Sequence, residues 1–141
     1  MRTLALAIAA TSLLGAAAPA AFAQETAVQA SAAAKSGEFV KKRKKLRGNY
    51  TIIEENGQRI LRFSDDFRAA GGPDLKVFLS PTAFGSVNGK NAVNGSINLG
   101  ELQSTKGSQD YVIPASVDLN DFESVLVHCE AYAVLWGGAS L

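Results

Sequence analysis

The sequence contains one cysteine, Cys129, among 141 residues, and this scarcity excludes several classes of protein. A lone cysteine cannot form an internal disulfide, so the chain is not one of the small secreted domains that disulfides hold together. Cys-x-x-Cys pairs, the Cys-x-x-Cys-His attachment motif of c-type haem, zinc-ligand spacings, phosphate-binding glycine loops and nucleophile elbows are absent too. Three roles remain for Cys129: an inert buried thiol, an intermolecular crosslink or a reactive thiol.

Long apolar runs are equally scarce, and the one at the start of the chain predicts an export signal. The charge-free run Leu4–Ala18 follows Arg2 and precedes Ala21-Phe22-Ala23, an A-x-A cleavage site. Its 15 residues fall short of the roughly 20 that a membrane-spanning helix needs. We therefore expect a cleavable signal peptide over residues 1–23 and a protein that works in the periplasm or outside the cell. No later segment is expected to cross a membrane.

Positive charge is concentrated in one stretch, residues 41–47. From Gly48 onward the chain has six basic and eleven acidic residues, so the body of the domain is acidic. No aromatic residues interleave the cations and the protein is expected to be exported, which argues against nucleic-acid binding. The favoured interpretation is a solvated edge strand whose charge blocks aggregation. The alternative is a patch for anionic lipid, polysaccharide or an acidic partner, formed by Lys41, Lys42, Arg43, Lys44 and Lys45.

Short β-prone runs separated by turn signals make up the rest of the chain. Residues 24–36 are rich in Ala, Ser and Gln and are expected to form a flexible tether, and residues 37–141 are expected to form one domain. Asn56-Gly57 lies between two β-prone runs and predicts a hairpin, whereas residues 81–95 predict a long surface loop. With turns about every 8 to 12 residues and no strong helix, the sequence predicts an all-β fold. An antiparallel β-sandwich or a small open barrel with short helical turns fits this pattern.

The longest β-prone run, residues 124–136, predicts a single central strand. On a period of two, one face is apolar and should point into the core, with Val125, Val127, Cys129, Ala131, Ala133 and Leu135. The opposite face should carry Leu126, His128, Glu130, Tyr132, Val134 and Trp136. His128 would therefore point away from Cys129 and could not easily act as its base. His128 and Glu130 would share a face, where satisfied polar partners are favoured over a metal site.

Several short motifs occur in the same order as in a known family, and one nine-residue stretch, residues 72–80, is the most diagnostic. The motifs are Gly37-Glu38-Phe39, Gly72-Pro73-Asp74-Leu75-Lys76-Val77-Phe78-Leu79-Ser80, Leu99-Gly100-Glu101-Leu102, Gly107-Ser108-Gln109-Asp110-Tyr111, Val127-His128-Cys129-Glu130 and Gly138-Ala139-Ser140-Leu141. In their order and spacing, residues 37–141 resemble the DM-thirteen domain, the electron-transfer DM family of small extracellular modules.

The resemblance implies a redox role at the cell surface, in an electron-transfer or binding module rather than a stand-alone enzyme. The signature cysteine of the family corresponds to Cys129, which would act as a bare thiol or hold a prosthetic group such as haem. The electron donor would be a separate cytochrome or other envelope redox protein, and the charge of Lys41–Lys45 would speed its docking. The alternative is a cell-envelope binding or structural module in which Cys129 only packs in the core.

Overall fold

The computed structural model describes residues 34–141, and in this range nearly all regular structure is β-strand. The predicted signal peptide and most of the predicted tether lie outside the described residues. The strands are β1 Ser36–Glu38, β2 Val40–Lys41, β3 Leu46–Arg47, β4 Asn49–Glu55, β5 Gln58–Phe63, β6 Arg68–Ala69, β7 Leu75–Ser80, β8 Ile97–Glu101, β9 Gln109–Ile113, β10 Ser124–Cys129 and β11 Val134–Ser140. A short 3-10 helix, Leu119–Asp121, begins at the Asp118 cap, where the sequence predicts a helical turn.

The strands form two main antiparallel sheets that pack face to face. A four-stranded sheet has the order β1-β4-β5-β9, a five-stranded sheet has the order β2-β11-β10-β7-β8, and β3 pairs with β6. One cluster of buried apolar residues draws on both main sheets, with Tyr50, Leu61 and Phe63 from the first and Val77 and Val127 from the second. This arrangement confirms the predicted antiparallel β-sandwich and places its core between the sheets.

The β4–β5 hairpin forms where the sequence predicts it. Asn56 and Gly57 adopt φ angles of 52° and 75°, the left-handed pair that a two-residue type I′ turn requires. Tyr50 pairs with Phe63 and Ile52 with Leu61, so these four side chains share the face that meets the core. Turn chemistry and the apolar alternation therefore specify the same register.

The prediction of one strand over residues 124–136 is wrong, because the run contains a hairpin. β10 ends at Cys129, the chain turns through residues 130–133, and β11 begins at Val134. The turn contains no Gly, Pro or Asn, and Ala133 supplies the positive φ, 50°. Asp74 holds the turn from outside: its carboxylate accepts from the Ala131 N–H at 2.9 Å and its carbonyl from the Glu130 N–H at 3.1 Å. β10 is the middle strand of the five-stranded sheet, between β11 and β7, and β11 lies between β10 and the short edge strand β2.

The predicted long loop between β7 and β8 is not simply a surface loop. Within it, Val87 and Ala92 are buried and pack on the outer face of the five-stranded sheet with Phe78, Leu126 and Leu135. These five residues, called here the outer cluster, form a second and smaller apolar core. The loop therefore covers the face of β10 that points away from the sandwich interior.

The basic run follows the edge of the five-stranded sheet only briefly. β2, the edge strand next to β11, includes Lys41, and the chain then leaves the sheet through the exposed residues 42–45. Leu46 enters the core at 4% exposure. The charged-edge interpretation therefore holds in this sheet for Lys41 alone. The cations at 42–45 lie in an irregular segment, and Arg47 lies in β3, which pairs with β6.

Candidate functional site

Cys129 is the last residue of β10 and lies in the core of the sandwich. Its exposure is 0%, like that of Val125 and Val127, which share its face of the strand as predicted. In the register of the sheet, its neighbours are Leu75 of β7 and Val134 of β11. A free cysteine in such surroundings packs as a small hydrophobic residue. In this conformation no solvent-borne reagent reaches the sulfur.

The surroundings of Cys129 do not fit a haem. Ala131 and Ala133, predicted to share the apolar face of the strand with Cys129, lie instead in the turn after β10, where both are exposed. Two clefts of about 700 and 680 Å³ open on the surface, and Cys129 lines neither. Core packing leaves few voids larger than a water molecule, so a macrocycle at this sulfur would require the two sheets to separate.

His128 faces the opposite side of the five-stranded sheet from Cys129, as predicted. Its ring lies edge-on to Phe78 of the outer cluster, with centroids 6.0 Å apart and planes at 75°. The side chain is 1% exposed, and its Nδ1 atom has no hydrogen-bond partner among the described residues. Burial lowers the pKa of His128 below the ordinary value of 6.5, although the charges of Glu130 and Asp74 act in the other direction. The imidazole is thus held neutral at neutral pH.

The predicted pairing of His128 with Glu130 on one face is wrong, because Glu130 lies beyond the end of the strand. Its carboxylate instead binds the ammonium group of Lys76, which also lies 3.2 Å from Asp74 Oδ1. These contacts, the bond to Glu130 first, raise the pKa of Lys76. Within residues 34–141 no group of three or more His, Cys, Asp or Glu side chains is arranged to hold a metal ion.

A cationic cleft lies beside the turn that follows Cys129. Arg43 and Lys44 of the basic run line it together with Lys90 of the β7–β8 loop. Its remaining wall is formed by residues 88–89 and 133–135. Lys41 lies in β2, and Lys42 turns to the loop, where its ammonium group donates to the Val87 carbonyl at 2.8 Å. Of the five predicted partner-binding residues, the structure brings only Arg43 and Lys44 to this cleft.

The sequence analysis did not identify Lys90 as a residue of the cationic cleft. Its position depends on the long-range packing of the β7–β8 loop against the β10–β11 turn, which no local pattern encodes. The available signal was Asn88-Gly89, a turn pair directly before the lysine. At position 89 only glycine fits, since a Cβ atom there would overlap the carbonyl oxygen of Ala133.

No helix among residues 34–141 combines the length and apolar character needed to span a bilayer. The described part of the chain is a small antiparallel β-sandwich with one buried cysteine. The chain belongs to the electron transfer DM13 family, whose model matches residues 38–141. The match covers most of the chain and makes the protein a redox module of the electron-transfer type. Neither curated proteins nor solved structures gave a match.

Proposed function

We propose that this chain is an exported redox module that exchanges electrons with a separate envelope protein through Cys129. The membership of residues 38–141 in an electron-transfer family supports a redox role. Cys129 is the sole thiol of the sequence and lies at the end of a central strand. The sequence offers no second cysteine with which it could form an internal disulfide, so any disulfide must involve another molecule.

The geometry favours a bare thiol over a haem ligand as the working form of Cys129. The sulfur is fully buried between the sheets, and neither surface cleft opens onto it. A thiol needs much less space than a macrocycle, and it needs only brief contact with a reagent. Thiol–disulfide exchange with a partner disulfide would leave Cys129 in a mixed disulfide and release one partner thiolate.

Local opening of the β10–β11 hairpin end offers a route to the sulfur. Cys129 and Val134 are the last register pair before the turn, whose residues 130–133 are exposed. Strand ends open at a lower free-energy cost than strand centres, since fewer contacts break. The position at the end of the strand is the observation that carries the bare-thiol proposal.

The proposal also specifies where the protein works and which kind of partner it reacts with. Residues 1–23 have the three parts of a signal peptide, which supports a location in the periplasm or outside the cell. The partner would be a cytochrome or another envelope redox protein. The exposed cations of the basic run would steer it, because complementary charge accelerates transient encounters.

One observation favours a second candidate, a cell-envelope binding or structural module in which Cys129 only packs. The sulfur is 0% exposed among apolar neighbours, which is the usual environment of an inert thiol.

Incubation of the folded protein in a series of glutathione redox buffers separates the two candidates. The proposal predicts a glutathione mixed disulfide at Cys129, detected by mass spectrometry under native conditions and absent in Cys129→Ser. An unmodified thiol across the series would favour the packing role. A haem titration in parallel tests whether Cys129 acts as a bare thiol or as a haem ligand. A Soret band that is lost in Cys129→Ser would contradict the bare-thiol proposal.

A further inference from the structure

We propose that the cationic cleft is the docking site for an acidic protein partner. The site combines cations of the basic run with a cation from a second segment of the chain, the β7–β8 loop. This inference rests on the proposed function, which requires a separate redox protein. The cleft has a volume of about 680 Å³, and its cations come from two distant segments, Arg43 and Lys44 from one and Lys90 from the other.

Four contacts hold these segments in place, so the cleft is a built feature of the fold. The Lys42 ammonium group donates to the Val87 carbonyl at 2.8 Å and lies 4.7 Å from the centroid of the Phe84 ring. The Arg43 N–H donates to the Trp136 carbonyl at 3.2 Å, which ties the basic turn to β11. Gly89 approaches the Ala133 carbonyl so closely that a side chain would not fit.

The cations of the cleft are available to a ligand. Within the described residues, the side chains of Arg43, Lys44 and Lys90 take part in no ion pair, whereas Lys76 is bound by Asp74 and Glu130. No acidic residue is among those that line the cleft. Three unneutralised cations around one concave surface create a local positive potential, which attracts carboxylates.

The composition around the cleft favours a protein as the occupant. Tyr132, in the turn directly before Ala133, is 69% exposed, and exposed Tyr and Arg side chains are typical anchors of protein interfaces. The rest of the domain is acidic, with eleven acidic and six basic residues from Gly48 onward. An extended anionic membrane would repel the acidic part of the domain. A protein with a small acidic patch could bind at the cleft without approaching the acidic residues.

The cleft also lies close to the proposed redox residue. Val134 lines it and is the register partner of Cys129 on the adjacent strand. A partner bound there would sit over the end of the hairpin whose opening exposes the thiol. Docking and access to the sulfur therefore involve the same end of β10 and β11.

The test is a titration of the ¹⁵N-labelled mature protein with a hexaglutamate peptide, followed by amide chemical shifts. We expect shifts at Lys44, Gly89, Lys90 and Val134, and weaker binding at high salt because screening shortens the reach of the charges. In the double variant Lys44→Glu/Lys90→Glu, the affinity should fall by roughly tenfold or more. Lys106→Glu, a charge reversal at an exposed residue that does not line the cleft, is the control and should bind like the wild type.

Three outcomes would overturn the proposal. Shifts confined to another surface would place the acidic ligand elsewhere. Inorganic phosphate that gives the same shifts at the same affinity would make the cleft a small-anion site. Binding to phosphatidylserine vesicles without binding to hexaglutamate would make it a membrane contact. The same titration of the Cys129→Ser variant separates the docking proposal from the redox proposal. If this variant still binds the peptide, the docking proposal stands even if the thiol has no redox role.

Discussion

The two faces of β10 differ in how they are built, although they alternate along one strand of six residues. The inner face, with Val125, Val127 and Cys129, lies in the large core between the sheets. The outer face, with Leu126 and His128, is covered by a loop that adds only a small apolar cluster. The cluster between the sheets is the larger of the two, so we expect the inner face to contribute more to stability than the outer face.

This difference explains why the buried thiol and the cationic cleft occur at the same end of the hairpin. At the centre of the strand, the residues before and after the cysteine would both be paired with the neighbouring strands. At position 129 the pairing ends, and the next residues form an exposed turn beside the cleft. In the proposed function, burial would protect the thiol from adventitious reagents, and its position at the strand end would bring it within reach of a docked protein.

The largest expected effect comes from truncating the inner core. Phe63 is 0% exposed and packs against the rings of Phe39, Phe67 and Tyr111, at centroid distances of 4.8, 4.7 and 5.2 Å. Phe63→Ala should lower the free energy of unfolding by about 3–5 kcal/mol, as measured by urea denaturation. The matched change on the outer side, Phe84→Ala, should cost less than about 2 kcal/mol because that ring is only partly buried. Equal losses would show that the outer cluster stabilises the fold as much as the inner core.

A smaller loss is expected when the thiol itself is made polar. Cys129→Ser places a hydroxyl group in an apolar core and should lower the free energy of unfolding by about 1–3 kcal/mol. Cys129→Ala removes the sulfur without adding a polar group and should cost less than the serine variant. Denaturation of the two variants side by side measures the difference. A serine variant as stable as the wild type would mean that position 129 is hydrated and not part of the inner core.

The smallest effect is expected from the protonation of His128 on the outer face. Because burial lowers the folded-state pKa of His128 below 6.5, the unfolded chain binds the proton more readily than the folded one. The stability contributed by the neutral imidazole is therefore fully present above pH 6.5 and is lost as the pH falls below it. The carboxylates of Glu130 and Asp74 oppose the shift and keep the effect small.

Denaturation curves between pH 5 and pH 8, compared with those of His128→Leu, would isolate this contribution. The leucine variant should lose less stability on acidification than the wild type. If both proteins respond to pH in the same way, the pKa of His128 is the same in the folded and the unfolded chain, which would show that the imidazole is solvated in the folded state.

The sequence alone predicted the elements whose turns carry a chemical signal. The Asn56-Gly57 turn fixed the first hairpin, and the helical turn after Asp118 formed at a typical capping residue. The β10–β11 hairpin escaped prediction because Glu130–Ala133 contains no turn residue. The turn depends instead on hydrogen bonds that its N–H groups donate to Asp74, which lies 57 residues from Ala131. A run of β-prone residues therefore concealed a turn that tertiary contacts impose.

The candidate site, too, could be predicted only where it depends on local sequence. The alternation of apolar residues correctly placed Cys129 in the core, since that face of β10 follows a simple period of two. The cleft beside it could not be predicted, because Lys90 reaches it through a loop whose path is set by Val87, Ala92 and Gly89. Local sequence determines which way a side chain points along a strand, but not which distant segments meet at its end.

The most direct test of the central claim is the rate at which Cys129 reacts with Ellman's reagent in the folded protein, measured against urea concentration. If the hairpin end opens locally, the thiol should react under native conditions with a free energy of opening below that of global unfolding and with a weak urea dependence. A reaction whose urea dependence matches that of global unfolding would contradict the account. It would show that Cys129 is reached only when the whole sandwich unfolds.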